Sequence, residues 1–172
     1  MIVEIRALRP EDDRGAFRSG DEALDVFFHR YAGQNQFRHH VGITYVAVAD
    51  RRILGFATVS AATLDAGAVP GKRRLPPYPV PVLRVARLAS HEAARGAGIG
   101  KQLMRHCIEL AEKMRDEVGC VGLLVDAKPD ADGFYDRLGF VPVSAVEGAA
   151  RAVPRAAPMF LPLGAVPPPK AP

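Results

Sequence analysis

The sequence predicts a single domain of the α/β (α+β) class, a mixed central β-sheet flanked by helices. Three observations carry that reading. Hydrophobic patterns follow the order β, α, β, β, β, α, β, α, β, β, so strands and helices share one sheet. Residues 121–127 (VGLLVDA) form a nearly continuous apolar run, as a central strand covered on both faces requires. The chain has 172 residues, 48% hydrophobic and 24% charged, which suits one well-filled core. Residues 1–144 are expected to form the domain, and 145–172 an Ala/Pro-rich segment with a last strand at 158–163 and a solvated tail.

The elements follow in order. Residues 2–8 (IVEIRAL) alternate apolar and charged, the mark of a half-buried strand. In SGDE, Ser19 is placed to cap a helix with Glu22 reaching back to its amide. Leu24, Phe27, Phe28 and Tyr31 then follow at i, i+3, i+4, i+7 on the inner face. Residues 43–49 and 53–60 are β-rich runs separated by Asp50, Arg51 and Arg52, and read as an antiparallel hairpin. The four prolines of 71–81 end any ladder there, and 82–89 (VLRVARLA) makes the next strand. A helix to about residue 118 carries Leu103, Met104, Cys107, Ile108, Ala111 and Met114 in one stripe. Asp130 is placed to cap a short helix whose inner side holds Phe134, Tyr135 and Leu138, with Gly139 ending it.

Composition narrows the function. No apolar run approaches the roughly 20 residues that span a bilayer. The opening MIVEIR carries charge where a signal peptide is apolar, so no membrane role and a cytoplasmic location are expected. Cys107 and Cys120 form no C-x-x-C pair, and the five histidines lack helical i, i+4 spacing, so no metal is expected. The net charge of +4 permits a polyanionic partner.

The most informative stretch is RGAGIG, residues 95–100, at the start of the long helix. Residues without Cβ let several N–H groups approach one ligand, and a helix start offers unpaired amides and partial positive charge. A phosphate fits such a place, with Arg95 as a further cation. A dinucleotide fingerprint starting at Gly96 or Gly98 requires glycine at 101 or 103, which are Lys101 and Leu103. A P-loop ending at Gly100 and Lys101 requires glycine at 95 and Ser or Thr at 102, which are Arg95 and Gln102.

RGAGIG resembles the R/Q-x-x-G-x-G/A signature of the GNAT acetyltransferases, and GFYDRLGF (133–140) resembles a later segment of that superfamily. FRSGDEALDVFFHRYAGQNQ and YPVPVLRVARLA are most similar to the TacT-type toxins, with Ser19 where that branch has cysteine, and Arg84 and Val85 where it prefers aliphatic residues. The resemblance implies acetyl-CoA as acetyl donor and aminoacyl-tRNA as acceptor. It also implies a ribbon-helix-helix antitoxin as partner, and a homodimer. By position, Leu88 and Ala89 are expected to offer backbone groups to the pantetheine arm. Arg95, Gly96, Gly98, Ile99 and Gly100 are expected to surround the pyrophosphate, and Tyr135 to act as general acid.

The chemistry agrees. An amine attacks the thioester carbonyl, and a thiolate leaves that needs a proton. A phenol, with an ordinary pKa near 10, holds one at neutral pH. Strand 82–89 contains no acid to deprotonate the amine, which favours an α-amine over a lysine side chain, because the α-amine titrates near 7.7–8.0. Arg87, Lys72, Arg73 and Arg74 are the expected RNA contacts. Arg38, His39 and His40 add positive charge after the first helical region. A small-molecule amine or a peptide N-terminus, without RNA, is the alternative acceptor. A fold that binds a partner without catalysis is a third reading.

Overall fold

β1 (Glu4–Ala7), β2 (Ile43–Ala49), β3 (Arg52–Leu64), β4 (Val80–Ser90), β5 (Gly122–Ala127), β6 (Val141–Pro142) and β7 (Ala157–Pro162) lie in one sheet, in the order β1-β2-β3-β4-β5-β7-β6. The computed structural model describes residues 1–71, 74–143 and 157–165. The last strand of the sequence reading is present, seated between β5 and β6 and antiparallel to both. Helices α1 (Glu22–Val26), α2 (Ala32–Phe37), α3 (Ile99–Glu117) and α4 (Asp132–Arg137) complete the elements. The chain forms two units: Met1–Ser60 with Val85–Glu109, and Ala61–Arg84 with Leu110–Pro172.

In the first unit, α1 and α2 cover β2 and β3 through a phenylalanine cluster. The rings of Phe28 and Phe56 stack at 4.4 Å and 6°, and Phe17 meets both edge-on at 5.0 and 5.5 Å. Leu8, Phe27, Val46 and Ile53 close the cluster. Below α2 the buried amide of Gln36 donates to the Leu8 carbonyl (3.0 Å) and accepts from the Thr44 N–H (2.9 Å), so no polar atom of that side chain is wasted.

Three local expectations are corrected here. Ser19 is not the cap: the carboxylate of Asp21 accepts from the Leu24 N–H at 3.2 Å, while the Ser19 hydroxyl donates to Asp25 at 2.6 Å. Gly20, at φ +90, turns the chain between them, and Asp21 stands at the start of the helical turn. The helix is also not uniform, since Phe27–Tyr31 form a π-turn between α1 and α2. The extra residue rotates Tyr31 off the inner face to 45% exposure, and Arg14 donates to the Phe28 carbonyl inside the turn at 3.2 Å. Finally, Arg52 belongs to β3. The hairpin turns on Asp50 and Arg51 alone, both left-handed (φ 48 and 63), the geometry that matches strand twist in a two-residue loop.

Beside β1, Asp12 receives two hydrogen bonds from Arg6, at 2.8 and 2.7 Å, with side-chain exposures of 11% and 15%. These bonds, and one from the Arg9 amide, hold the Asp12 carboxyl below its ordinary value against the opposing effect of burial. A lowered folded pKa gives stability that is present above the unfolded carboxylate pKa of about 3.9 and disappears as pH falls through the folded value. Asp12→Asn is therefore expected to lower Tm at pH 7 and to flatten the acid-side decline of Tm. A decline as steep as that of the wild type rejects this assignment.

In the second unit, Leu64, Val82, Leu124 and Phe160 form a separate cluster. Gly122 makes room for it, because a Cβ there would lie 2.3 Å from the Phe160 ring. Arg84 pairs with Asp126 on β5. The cap expected from Asp130 is absent: the N-cap position of α4 falls on Ala131, without a side-chain hydrogen bond, after a Lys128–Ala131 turn.

Candidate functional site

β4 ends at Ser90, and the next residues build the glycine loop. The His91 N–H donates to the Leu54 carbonyl at 2.7 Å, and His91 Nδ1 accepts from the Ala93 N–H at 3.1 Å. That cap starts a single 3₁₀ turn, Glu92–Ala94, so His91 is occupied in holding the loop. Gly96 and Gly98 follow with φ +80 and +78, conformations that L side chains rarely adopt. A Cβ built on either would meet nothing within 4 Å, so the space in front of the loop is open. Gln102 N–H closes the first helical bond to the Gly98 carbonyl at 3.1 Å. Gly98 is thus the residue before α3, and the amides of Ile99, Gly100 and Lys101 precede that bond. The Ile99 side chain is turned inward at 1% exposure, and Gly55 leaves space for it, since a Cβ there would lie 2.6 Å from Ile99 Cγ2. Ile99 therefore anchors the cradle through its side chain and can serve a ligand only through its backbone.

Arg95 is occupied differently from the expectation of a simple phosphate cation. Its guanidinium donates to the Ser19 carbonyl at 2.7 Å, and its Nη2 lies 2.5 Å from where a Cβ on Gly20 would stand. Two further bonds join the same segments: Glu92 N–H to Arg18 O at 2.8 Å, and His91 Nε2 to Ala16 O at 3.3 Å. The loop and the start of α1 are thus one stitched assembly. A cleft of about 400 Å³ opens beside it, lined by Arg18, Gly20, Glu22, Asp25, His29 and Glu92 among others.

On β4, the Arg87 guanidinium carbon lies 3.7 Å from the Phe27 ring centroid, a cation–π contact the sequence reading did not foresee. Leu88 is half-buried beside it, and Ala89 is buried against the phenylalanine cluster. The first unit therefore gathers Arg87, Leu88, Ala89, Arg95, Gly96, Gly98, Ile99 and Gly100. The second carries Arg74, which is exposed, and Tyr135. The expected RNA contacts Lys72 and Arg73 lie outside the described residues. Tyr135 is 7% exposed on α4, its ring edge-on to Phe134 (5.2 Å) and Phe140 (5.4 Å).

The thiols contribute no nucleophile. Burial pushes the Cys107 thiol up to about 12 and raises that of Cys120 as well, so both stay protonated near neutral pH. Among the described residues, no group of His, Cys, Asp and Glu is placed to hold a metal ion, and no helix is long and apolar enough to cross a membrane. The ion pair of Arg84 with Asp126 also escaped the sequence reading, because spacing along one strand says nothing of the neighbour across it.

Comparison with known proteins agrees with this geometry. The acetyltransferase (GNAT) domain profile matches residues 40–142. The tRNA-acetylating toxin of Mycobacterium tuberculosis (strain ATCC 25618 / H37Rv) is 31% identical over 137 residues, covering 78% of this chain and 82% of that protein. Among solved structures, AtaT complexed with acetyl-methionyl-tRNAfMet superposes with a TM-score of 0.83 at 25% identity, covering 96% of this chain and 97% of the other. AtaTR bound with AcCoA superposes at 0.77 and 26% identity, covering 95% of each. With the glycine cradle at the head of α3 and a domain match over more than half its length, the chain belongs to the GNAT acetyltransferase family.

Proposed function

We propose that this chain transfers the acetyl group of acetyl-CoA to the α-amine of aminoacyl-tRNA in the cytoplasm and thereby blocks translation as a toxin. The open cradle of Gly96 and Gly98 before α3 supports the coenzyme half of the reading, because backbone amides at a helix start fit a pyrophosphate. The relationship to the mycobacterial tRNA-acetylating toxin, extending over most of both chains, carries the acceptor half.

In this reading the Arg95–Gly100 backbone holds the pyrophosphate, and Leu88 and Ala89 present main-chain groups to the pantetheine arm. Arg95 keeps the loop in place through Ser19. The neutral amine attacks the thioester carbonyl, a C–N bond forms, and the tetrahedral oxyanion collapses with cleavage of C–S. Tyr135 gives its proton to the departing sulfur, and the amine nitrogen loses its own to solvent. β4 supplies no carboxylate for that last proton, and Asp126 on β5 is paired with Arg84, which favours an amine that is already acidic. Arg87, Arg74, Lys72 and Arg73 are assigned to RNA, a ribbon-helix-helix antitoxin to neutralisation, and a homodimer to the working form.

The test is mass spectrometry of the 3′-terminal aminoacyl-adenosine after a charged tRNA pool is incubated with the protein and acetyl-CoA. Acetylated aminoacyl-adenosine is expected. Acetylation confined to free polyamines or peptide N-termini overturns the acceptor assignment.

A further inference from the structure

We infer that the Arg84–Asp126 ion pair is a positioning device for Tyr135, fixing the corner through which β5 passes into α4; this rests on the general-acid reading of Tyr135 above. All three residues belong to the second unit. β4 and β5 run the same way there: the Val121 N–H donates to the Pro81 carbonyl at 2.9 Å, and further along both strands Arg84 meets Asp126. Each follows a buried neighbour by two residues, Arg84 after Val82 and Asp126 after Leu124, so the pair continues the face of the Leu64, Val82, Leu124 and Phe160 cluster. An apolar row thus ends in a cation and an anion that reach for each other.

Asp126 stands where the course of the chain is decided. It is the last residue but one of β5, and β7 begins opposite it, with Ala157 against Ala127 and Pro158 against Asp126. The chain then turns through Lys128–Ala131, closed by the Ala131 N–H on the Lys128 carbonyl at 2.8 Å, and enters α4 with no side-chain cap at Ala131. A helix of six residues is too short to hold itself, so its two ends decide its place. The far end is anchored: Gly139 is left-handed at φ +96, the Phe140 N–H donates to the Tyr135 carbonyl at 3.1 Å, and Phe140 is buried. The near end is set by where β5 stops, and Arg84 fixes that point from the β4 side.

Stability is a poor account of this pair. The side chains are 42% and 24% exposed, so water screens most of what their charges gain. The Nε of Arg84 is buried without a hydrogen-bond partner among the described residues, which is a cost. What the arginine supplies is direction, a planar fork aimed along β5 at one carboxylate. A general acid must lie within hydrogen-bond reach of the sulfur it protonates, and a misplacement of about 1 Å costs about 10²-fold in rate.

The experiment combines hydrogen exchange with a double-mutant cycle in the full chain. In Arg84→Gln and Asp126→Asn, the amides of residues 128–138 are expected to exchange about tenfold faster than in the wild type, while those of α3 keep their rates. kcat should fall about ten- to a hundredfold in both with acetyl-CoA affinity retained in calorimetry, and Arg84→Lys, which keeps the charge and loses the fork, should fall between them and the wild type. In the Tyr135→Phe background Arg84→Gln should cost no more than about twofold, because the hydroxyl it would misplace is gone. Wild-type exchange over 128–138 overturns the proposal. So do losses that multiply across the cycle, and so does loss of acetyl-CoA affinity alongside kcat, which would make the pair a part of general packing. Should Arg84→Gln fail to fold, Arg84→Lys carries the same comparisons at smaller amplitude. The function proposed above fails separately: if the wild type acetylates polyamines and no charged tRNA, the cycle run with the polyamine decides the pair. If Tyr135→Phe keeps full activity, the general acid is withdrawn, and the exchange rates still decide whether Arg84 and Asp126 set α4.

Discussion

Replacing Gly98 with glutamate is expected to abolish acetyl-CoA binding while leaving the domain folded. Two properties of the position separate these outcomes. Gly98 has φ +78, so any L residue there carries a local backbone penalty of about 1–2 kcal/mol. A Cβ at that position meets nothing within 4 Å, so the added side chain clashes with no protein atom and projects into the space assigned to the ligand. A carboxylate also sits favourably at a helix start, which offsets part of the backbone strain. The same carboxylate is repelled by a pyrophosphate in the place it occupies. Gly98→Ala supplies the control, because it carries the strain without the charge or the bulk. Calorimetric titration should register no heat of acetyl-CoA binding for the glutamate variant and a modest loss for the alanine variant, both melting near the wild-type temperature. Wild-type affinity in Gly98→Glu would remove the cradle from the mechanism. Loss of folding in both variants, with binding retained in whatever remains folded, would do the same.

The glycine loop at the head of α3 was legible in the sequence because its cause is local. Two glycines and an arginine ahead of an amphipathic helix leave few physical uses, and the left-handed angles at Gly96 and Gly98 are the conformations that made glycine necessary. Element order was legible for a similar reason: the stripe of Leu103, Met104, Cys107 and Ala111 and the apolar run of β5 report burial directly, whereas the alternation of residues 2–8 did not, since β1 spans only Glu4–Ala7 and buries none of them. What escaped was set by partners distant in the chain. The π-turn at Phe27–Tyr31 has no composition signal, yet it decides that Phe27 lies under Arg87 and that Tyr31 faces solvent. The caps failed at Ser19 and Asp130 because several polar residues in a row offered themselves, and the turn geometry at Gly20 and at Lys128–Ala131 chose among them. The commitment of Arg95 to Ser19 joins residues 76 apart in sequence.

Tyr135→Phe is expected to lower kcat by about 10²–10⁴-fold with acetyl-CoA affinity retained. The ring of Tyr135 is buried on α4, edge-on to Phe134 and Phe140, and phenylalanine fills the same volume with the same quadrupole. The substitution therefore isolates the hydroxyl, but a lower kcat alone does not distinguish a proton donor from a residue that merely orders α4. The leaving group makes the distinction. A thiol titrates near 8.5, so the thiolate expelled from coenzyme A is basic enough to take a proton at neutral pH, and a donor placed beside the sulfur assists as C–S breaks. An acetyl donor whose thiol is several units more acidic needs no such help. If Tyr135 supplies the proton, the rate deficit of the phenylalanine variant should shrink sharply with that donor, because the step it fails to assist is no longer limiting. If the residue acts through packing, the acceptor and the thioester are misaligned for both donors and the deficit stays constant. Comparing kcat for wild type and variant with each donor, at one pH and with acceptor in excess, gives the answer, and an equal loss for the two donors withdraws the general-acid role from Tyr135.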